Sequence, residues 1–421
     1  MIKDNPFMKM KSVKKFLHGR IPGQLIIQLT DKCNAKCPQC GMRVTEDFQR
    51  SKLKLDDVKR MIDAAVEKGV ESVSFTGGET FLYFNELIEL MHHAGQSGIE
   101  YIRTGTNGFS FMNSHKTDYE QRINKMAEAL AKTNIRNFWI SIDSSEGGLH
   151  EEMRGLPGVI RGIEKAIPIF HEHGIYPSVN LGINRNVGGA FNQEQNEDEF
   201  DSELFYNTYQ EAFRKFYSFV IDLGFTIANA CYPMSVNHEE EEGLSAVYGA
   251  TSADEVVKFS SKERVLLFKA LMDTIPEYRS KIRIFSPQAS LHALIKQYSD
   301  DDNYSQPCRG GIDFFYVDAK TGDTFPCGYR GEENLGKFWD LDLNKMDGKA
   351  FCKQCDWECF RDPSELLGQM LDFRGKPIST LGRFTKDKEY QYLWMRDLKY
   401  YKACDYFNGR TAPSYNKLAC W

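Results

Sequence analysis

Short apolar runs alternate with longer stretches of helical period over the first 235 residues of the chain. Leu25-Ile26-Ile27-Gln28-Leu29-Thr30 reads as a buried strand. Leu53 to Lys68 repeats its apolar residues at helical spacing and stops at Gly69. Further strands are predicted over Glu71–Thr76, Tyr101–Thr104, Phe138–Asp143, Tyr176–Ile183 and Phe225–Tyr232. Helices are predicted between them over Phe84–Ser97, Tyr119–Thr133, Val159–His173 and Glu203–Leu223, three of them ending at Gly98, Gly174 and Gly224. Strand and helix thus alternate six times, which indicates βαβ units and a parallel sheet. Right-handed connections curl such a sheet in one sense, giving either an open doubly wound sheet or a partial barrel. Working residues in these folds sit on loops at the carboxyl ends of the strands. A cysteine group, Gly77-Gly78-Glu79, Thr106-Asn107-Gly108 and Asp143 all fall at such ends.

Beyond the sixth strand the pattern changes. A helix is predicted over Lys262–Thr274, a strand and helix over Ile282–Tyr298, and a hairpin from Ile312–Val317 and Thr324–Pro326 around Thr321-Gly322. The last 60 residues are polar, aromatic and helical in pattern. Residues 1–22 read as a short basic helix (Lys9, Lys11, Lys14, Lys15, His18, Arg20), solvated and flanking the sheet. The acidic loop Glu239–Glu242 reads as a solvated connector. The net charge of −6 argues against a dedicated nucleic-acid binder. No apolar run is long enough to cross a membrane, and the N-terminus lacks an apolar signal core, so a cytoplasmic protein is expected.

Composition contributes most through its 11 cysteines. Cys33, Cys37 and Cys40 lie within one loop. Cys308, Cys327, Cys352, Cys355 and Cys359 form a second group, and Cys231, Cys404 and Cys420 stand apart. Close-set cysteines in a chain of this kind suggest metal ligands rather than disulfides. Soft thiolate sets select iron–sulfur clusters, zinc or Cu(I). Three thiolates are one short of the set that closes a cubane or a structural zinc site, so one metal position would stay open to chemistry.

The segment Cys33-Asn34-Ala35-Lys36-Cys37-Pro38-Gln39-Cys40 resembles the cluster motif of radical S-adenosylmethionine (SAM) enzymes. The resemblance implies a [4Fe–4S] cluster on Cys33, Cys37 and Cys40, with SAM chelating the open iron. Reductive cleavage then gives a 5′-deoxyadenosyl radical that abstracts hydrogen from a substrate. Gly77-Gly78-Glu79 looks like the family element that engages the SAM amino group. Ser141 and Asp143 resemble positions that bond the ribose or methionine part, Arg154 is a candidate partner of the SAM carboxylate, and Asn107 reaches the same pocket. Gln39 departs from the family, which usually has an aromatic residue there. The family fold, a partial (β/α)6 barrel, agrees with the alternation counted above. Taken alone, the cysteine spacing also suits zinc, Asp143 suits a helix cap, Arg154 suits the surface, and His150 reads as exposed on a helix.

The second group resembles the opening of the SPASM and Twitch auxiliary-cluster extensions, with Cys308 and Cys327 brought together by the hairpin. One closed auxiliary [4Fe–4S] cluster is implied, its remaining ligands open among Cys352, Cys355 and Cys359; structural zinc is the rival. The expected organisation is a basic segment (1–23), a partial barrel (24–300), an α/β layout completed by a hairpin cluster domain (301–361), and a helical tail (362–421). Cys231, at the end of the sixth strand, would face the barrel mouth, where it is either a structural cysteine or a hydrogen donor to a radical; Asn180 and Tyr232 are placed alike. A small polar metabolite is the favoured substrate over a peptide presented by a separate recognition partner. An electron donor such as flavodoxin or ferredoxin is implied. The competing classes are a non-catalytic iron–sulfur or zinc scaffold and a metal-ribbon nucleic-acid binder.

Overall fold

The computed structural model describes residues 15–40, 49–190, 200–233, 247, 255–299, 306–346, 348–375 and 384–421. Lys9, Lys11, Lys14 and the acidic loop at Glu239–Glu242 lie outside them. The strands are β1 (Gly23–Thr30), β2 (Val70–Gly77), β3 (Tyr101–Thr106), β4 (Ile135–Ser141), β5 (Ser178–Gly182), β6 (Ile227–Cys231), β7 (Arg283–Ile284), β8 (Phe314–Val317) and β9 (Thr324–Phe325). The helices longer than one turn are α1 (Leu55–Glu67), α2 (Phe84–Ser97), α3 (Tyr119–Ala131), α4 (Gly147–Arg154), α5 (Val159–Glu172), α6 (Ser202–Asp222), α7 (Ser261–Tyr278), α8 (Gln288–Tyr298), α9 (Glu358–Gly375) and α10 (Lys388–Ala403). The sequence pattern omits α4 as a helix in its own right and lets several strands run two residues too far.

One sheet carries all nine strands in the order β7-β6-β5-β4-β3-β2-β1-β8-β9. Each of the first seven strands pairs in parallel with its sequence neighbour, so every crossover has the same sense. A doubly wound sheet would reverse its order at a switch point. The monotonic order instead keeps the helices on one face and makes an open α/β partial barrel. The hairpin is part of this sheet: β8 pairs in parallel with β1, and β9 closes antiparallel on β8. Helix α9 runs across the expected boundary at residue 361.

Helix periodicity explains the outer layer. On α5 the buried residues Val159, Ile163, Ala166, Ile167 and Phe170 form one stripe against the sheet. Asp201 caps α6 by accepting from the amides of Glu203 and Leu204, and Ser260 with Glu263 forms a reciprocal capping box on α7. The strand residues that meet these helices, such as Ile140, Val179, Leu181 and Ala230, are fully or almost fully buried. Their alternates Trp139, Ser141, Asn180, Gly182, Asn229 and Cys231 point the other way and keep partial exposure. The barrel therefore has a polar lumen that solvent reaches.

The tail is anchored at depth. Asp397 on α10 accepts from Arg279 Nη2 at 2.5 Å and from the Ala289 amide at 2.8 Å, with every side chain in this pair buried. The basic segment is not a freely solvated helix within the described residues. Lys15 Nζ bonds Glu71 at 2.7 Å, and Arg20 bonds the carbonyls of Ile312 and Leu343. No helix among the described residues is long and apolar enough to cross a membrane.

Candidate functional site

The loops after β1 to β4 converge at the carboxyl mouth of the barrel. Cys33, Cys37 and Cys40 occupy the first loop. Cys37 is 8% exposed, and burial pushes its thiol up to about 12, with Cys40 and Cys33 among the neighbours acting on it. Asn107, after β3, faces this loop: its Nδ2 bonds Asn34 Oδ1 at 2.9 Å and lies 3.8 Å from Cys33 Sγ.

Gly77 and Gly78 seat the cysteine loop. A Cβ on either would drive into the carbonyl oxygen of Thr30 or of Lys32, so only glycine lets the β2 loop lie against the β1 loop. Their first role is chain-to-chain approach rather than approach to a ligand. The Gly78 and Glu79 amides then donate to those same two carbonyls at 2.7 and 2.8 Å.

Glu79 is 1% exposed, and its carboxylate accepts from the Phe81 amide at 3.0 Å and the Asn107 amide at 2.6 Å, tying the β2 and β3 loops together. Burial raises its pKa from 4.5 to about 7 against these hydrogen bonds. The folded chain therefore binds the Glu79 proton more tightly than the unfolded chain does. Stability from this group is complete below pH 4.5 and is lost as the pH rises to about 7. The loss is about 3 kcal/mol. Urea unfolding below and above this window checks it: the wild type is expected to lose stability that Glu79→Gln, which cannot ionise, retains.

Asp143 and Arg154 make the buried ion pair of the site. Arg154 Nε lies 2.7 Å from Asp143 Oδ2, and Asp143 Oδ1 accepts from the Gly182 amide at 3.3 Å. Gln39 Nε2 donates to the same Oδ2 at 2.5 Å. Burial works against the Arg154 charge, but Asp143 and then Cys37 outweigh it and raise its pKa. Arg154 is thus a buried residue, not a surface one. His150 requires a correction: it is fully buried, its Nδ1 accepts from the Asp143 amide at 3.1 Å, and burial lowers its pKa to about 4. A neutral imidazole completes the Asp143 cradle because α4 folds back over the strand end. Ser141 ends β4 on the lumen face opposite Asn180.

Two further observations bear on whether the site suits a cluster and SAM. Gln39 Oε1 is buried without a hydrogen-bond partner, an acceptor at the place where the family has an aromatic ring. Only Nε of Arg154 is committed to Asp143, and Cys37 and Cys40 stand close enough to the guanidinium to act on its charge. Three thiols, a buried cation and a free acceptor fit an anionic cluster with a polar organic ligand. Among the described residues no three His, Cys, Asp or Glu side chains draw together tightly enough to hold one metal ion.

The second group divides. Cys308 and Cys352 are bridged by backbone pairing, with the Cys308 amide 2.7 Å from the Cys352 carbonyl. After burial, the neighbours that raise Cys355 are Cys327, Cys308 and Cys352, and Cys308 and Cys352 likewise raise Cys327. Cys359 has different neighbours. After burial, its largest influences are Glu358, Arg103 and Asp362, and it meets Cys231 at the lumen. Cys231 faces inward as expected, hydrogen-bonded to Asn180 at 3.1 Å. Tyr232 OH reaches Asp362 at 3.3 Å. Cys404 is buried beside Tyr400, Arg283 and Arg279, and Cys420 is exposed. The sequence pattern missed Arg103, Glu358 and Asp362, whose isolated charges carry no motif.

The Radical SAM superfamily model matches residues 27–196. The chain is 22% identical over 344 residues to an AdoMet-dependent heme synthase of Oleidesulfovibrio alaskensis, covering 81% of this chain and 77% of that protein. It is 28% identical over 156 residues to a GTP 3',8-cyclase of Vibrio atlanticus, covering 35% of this chain and 42% of the cyclase, less than half its length. Streptococcus suis SuiB bound to S-adenosylmethionine shares the fold, with a TM-score of 0.51, 19% identity, and coverage of 79% of this chain and 68% of that one. The matched segment contains the cysteine loop, the glycine pair and the Asp143–Arg154 pair, and so the chain carries a domain of the Radical SAM superfamily, an enzyme domain, over residues 27–196.

Proposed function

We propose that the chain is a radical SAM enzyme acting on a small polar metabolite, with an auxiliary cluster beside its barrel. The observation that carries this reading is the buried Cys37, flanked by Cys33 and Cys40 and set against Arg154 at the barrel mouth. Cys33, Cys37 and Cys40 would hold a [4Fe–4S] cluster, and Gly77, Gly78, Glu79, Asn107, Ser141, Asp143 and Arg154 would shape the SAM site around it. When bound, these groups supply reductive cleavage of the sulfonium and hydrogen abstraction from the substrate. The chain's own part is orientation. Asp143 holds Arg154 as a cation facing the thiols, Glu79 ties two loops together, and Gln39 offers its free oxygen to a donor such as an exocyclic amine.

Cys308, Cys327, Cys352 and Cys355 would close the auxiliary [4Fe–4S] cluster in a SPASM- or Twitch-like extension, leaving Cys359 out. Their mutual proximity supports this set. A closed cluster suits electron transfer, fed by a donor of the flavodoxin or ferredoxin type, in a cytoplasmic setting. The test is anaerobic reconstitution with iron counting and a reductant-dependent assay for 5′-deoxyadenosine. About eight irons and SAM cleavage are expected. Cys355→Ala should lose about four irons and Cys359→Ala none. Equal losses from both variants would reject the division, and absence of cleavage would favour a scaffold.

A further inference from the structure

The barrel lumen carries a guanidinium with no ion-pair partner among the described residues and a carboxylate with one unbonded oxygen. On β3, Arg103 points inward, with its guanidinium 5.8 Å from the centre of the Trp139 ring. Among the described residues no carboxylate forms an ion pair with it. The first turn of α9 brings Glu358 and Cys359 to the same lumen against Cys231. Glu358 is 5% exposed. Its Oε1 accepts from Cys359 Sγ at 3.4 Å, and the Cys231 thiol bonds the same carboxylate. Its Oε2 is buried with no hydrogen-bond partner. Asp362, one turn further along α9, is also buried and accepts from Tyr232 at 3.3 Å, with the Ser290 hydroxyl beside it. Arg103 is near enough to act on the Cys359 thiol, yet it does not reach Glu358.

A buried carboxylate oxygen left unbonded has lost its water with nothing in exchange, and a donor that reaches it is favoured. Arg103, half-buried over the Trp139 ring, leaves its charge open to an anionic partner. Trp139, Asn180, Asn229 and Cys231, on the same inward face as Arg103, keep partial exposure. We propose that the lumen binds a small dipolar substrate, with a cationic nitrogen against Glu358 Oε2 and an anionic group, carboxylate or phosphate, against Arg103. Cys231 and Cys359 are positioning residues that hold the Glu358 carboxylate and leave Oε2 turned to the ligand. Calling the ligand a substrate rests on the radical SAM reading; the binding itself does not.

The test uses the anaerobically reconstituted chain and two sets of probes, the free protein amino acids and phosphorylated amines such as phosphoethanolamine and glucosamine 6-phosphate. Binding is read by thermal shift and then by calorimetry. At least one probe is expected to stabilise the wild type. Its affinity should fall about tenfold or more in Arg103→Gln and in Glu358→Gln. Arg103→Lys keeps the charge and should recover part of that affinity, which a purely structural role would not produce. The set that responds tells carboxylate from phosphate. Silence from both sets, or equal binding by wild type and both variants, overturns the proposal. Iron is counted in every sample. Ligand binding by a wild type that takes up no iron would sink the radical SAM reading and leave the dipolar site standing.

Discussion

Cys37→Ala is expected to abolish the chemistry, removing about four irons and lowering 5′-deoxyadenosine formation more than about a thousandfold. The reasoning is geometric. Cys37 is the buried member of its loop, whereas Cys33 is exposed and Cys40 intermediate. Two thiols left on a loop of this kind cannot fix a cube at three corners. The loop itself should survive the change. It is held by the Gly78 and Glu79 amides on the Thr30 and Lys32 carbonyls, none of which involves Cys37. The variant should therefore fold, keep its far-UV spectrum and fail to bind iron at this site. Cys404→Ala and Cys420→Ala, outside both close-set groups in the sequence, should keep every iron. A Cys37→Ala protein with full iron and wild-type cleavage would reject Cys37 as a ligand.

Fold and site were not equally legible in the sequence. The six strand–helix alternations are set by local periodicity, and the sheet order that follows from right-handed parallel connections agrees with them. The site motifs were legible because cysteine and paired glycine are rare and close-set, and each lies at a strand end. What escaped was long-range. β8 joins β1 across almost 290 residues, and no local pattern announces that pairing. The split of the second cysteine group was equally hidden. Cys355 and Cys359 are four residues apart, but Cys359 lies within the first turn of α9, where it bonds Glu358 and stands near Cys231. His150 looked exposed because a lone histidine on a short polar helix carries no sign of what covers it. Gln39 looked like a departure from the family and proves to be a bonded partner of Asp143.

Arg154→Leu is expected to cost about 3–5 kcal/mol in stability, because it strands a buried charge. Asp143 is 1% exposed and Arg154 8%. Without the guanidinium, the carboxylate retains only the Gln39 amide and the distant Gly182 amide. Removing both partners should be far milder, since Asp143→Leu with Arg154→Leu leaves no unpaired charge. Urea unfolding of both single variants and the double variant gives the coupling energy directly. The expected sign is favourable, with the double variant more stable than the sum of the single losses implies. A loss below about 1 kcal/mol for Arg154→Leu would mean that the pair is solvated and of surface character. Gln39→Ala separates the two roles of this corner. It removes one bond from Asp143 but no charge, so it should cost only about 1 kcal/mol. If Gln39 Oε1 also holds a ligand donor, SAM affinity should fall in Gln39→Ala well beyond what that small loss of stability explains.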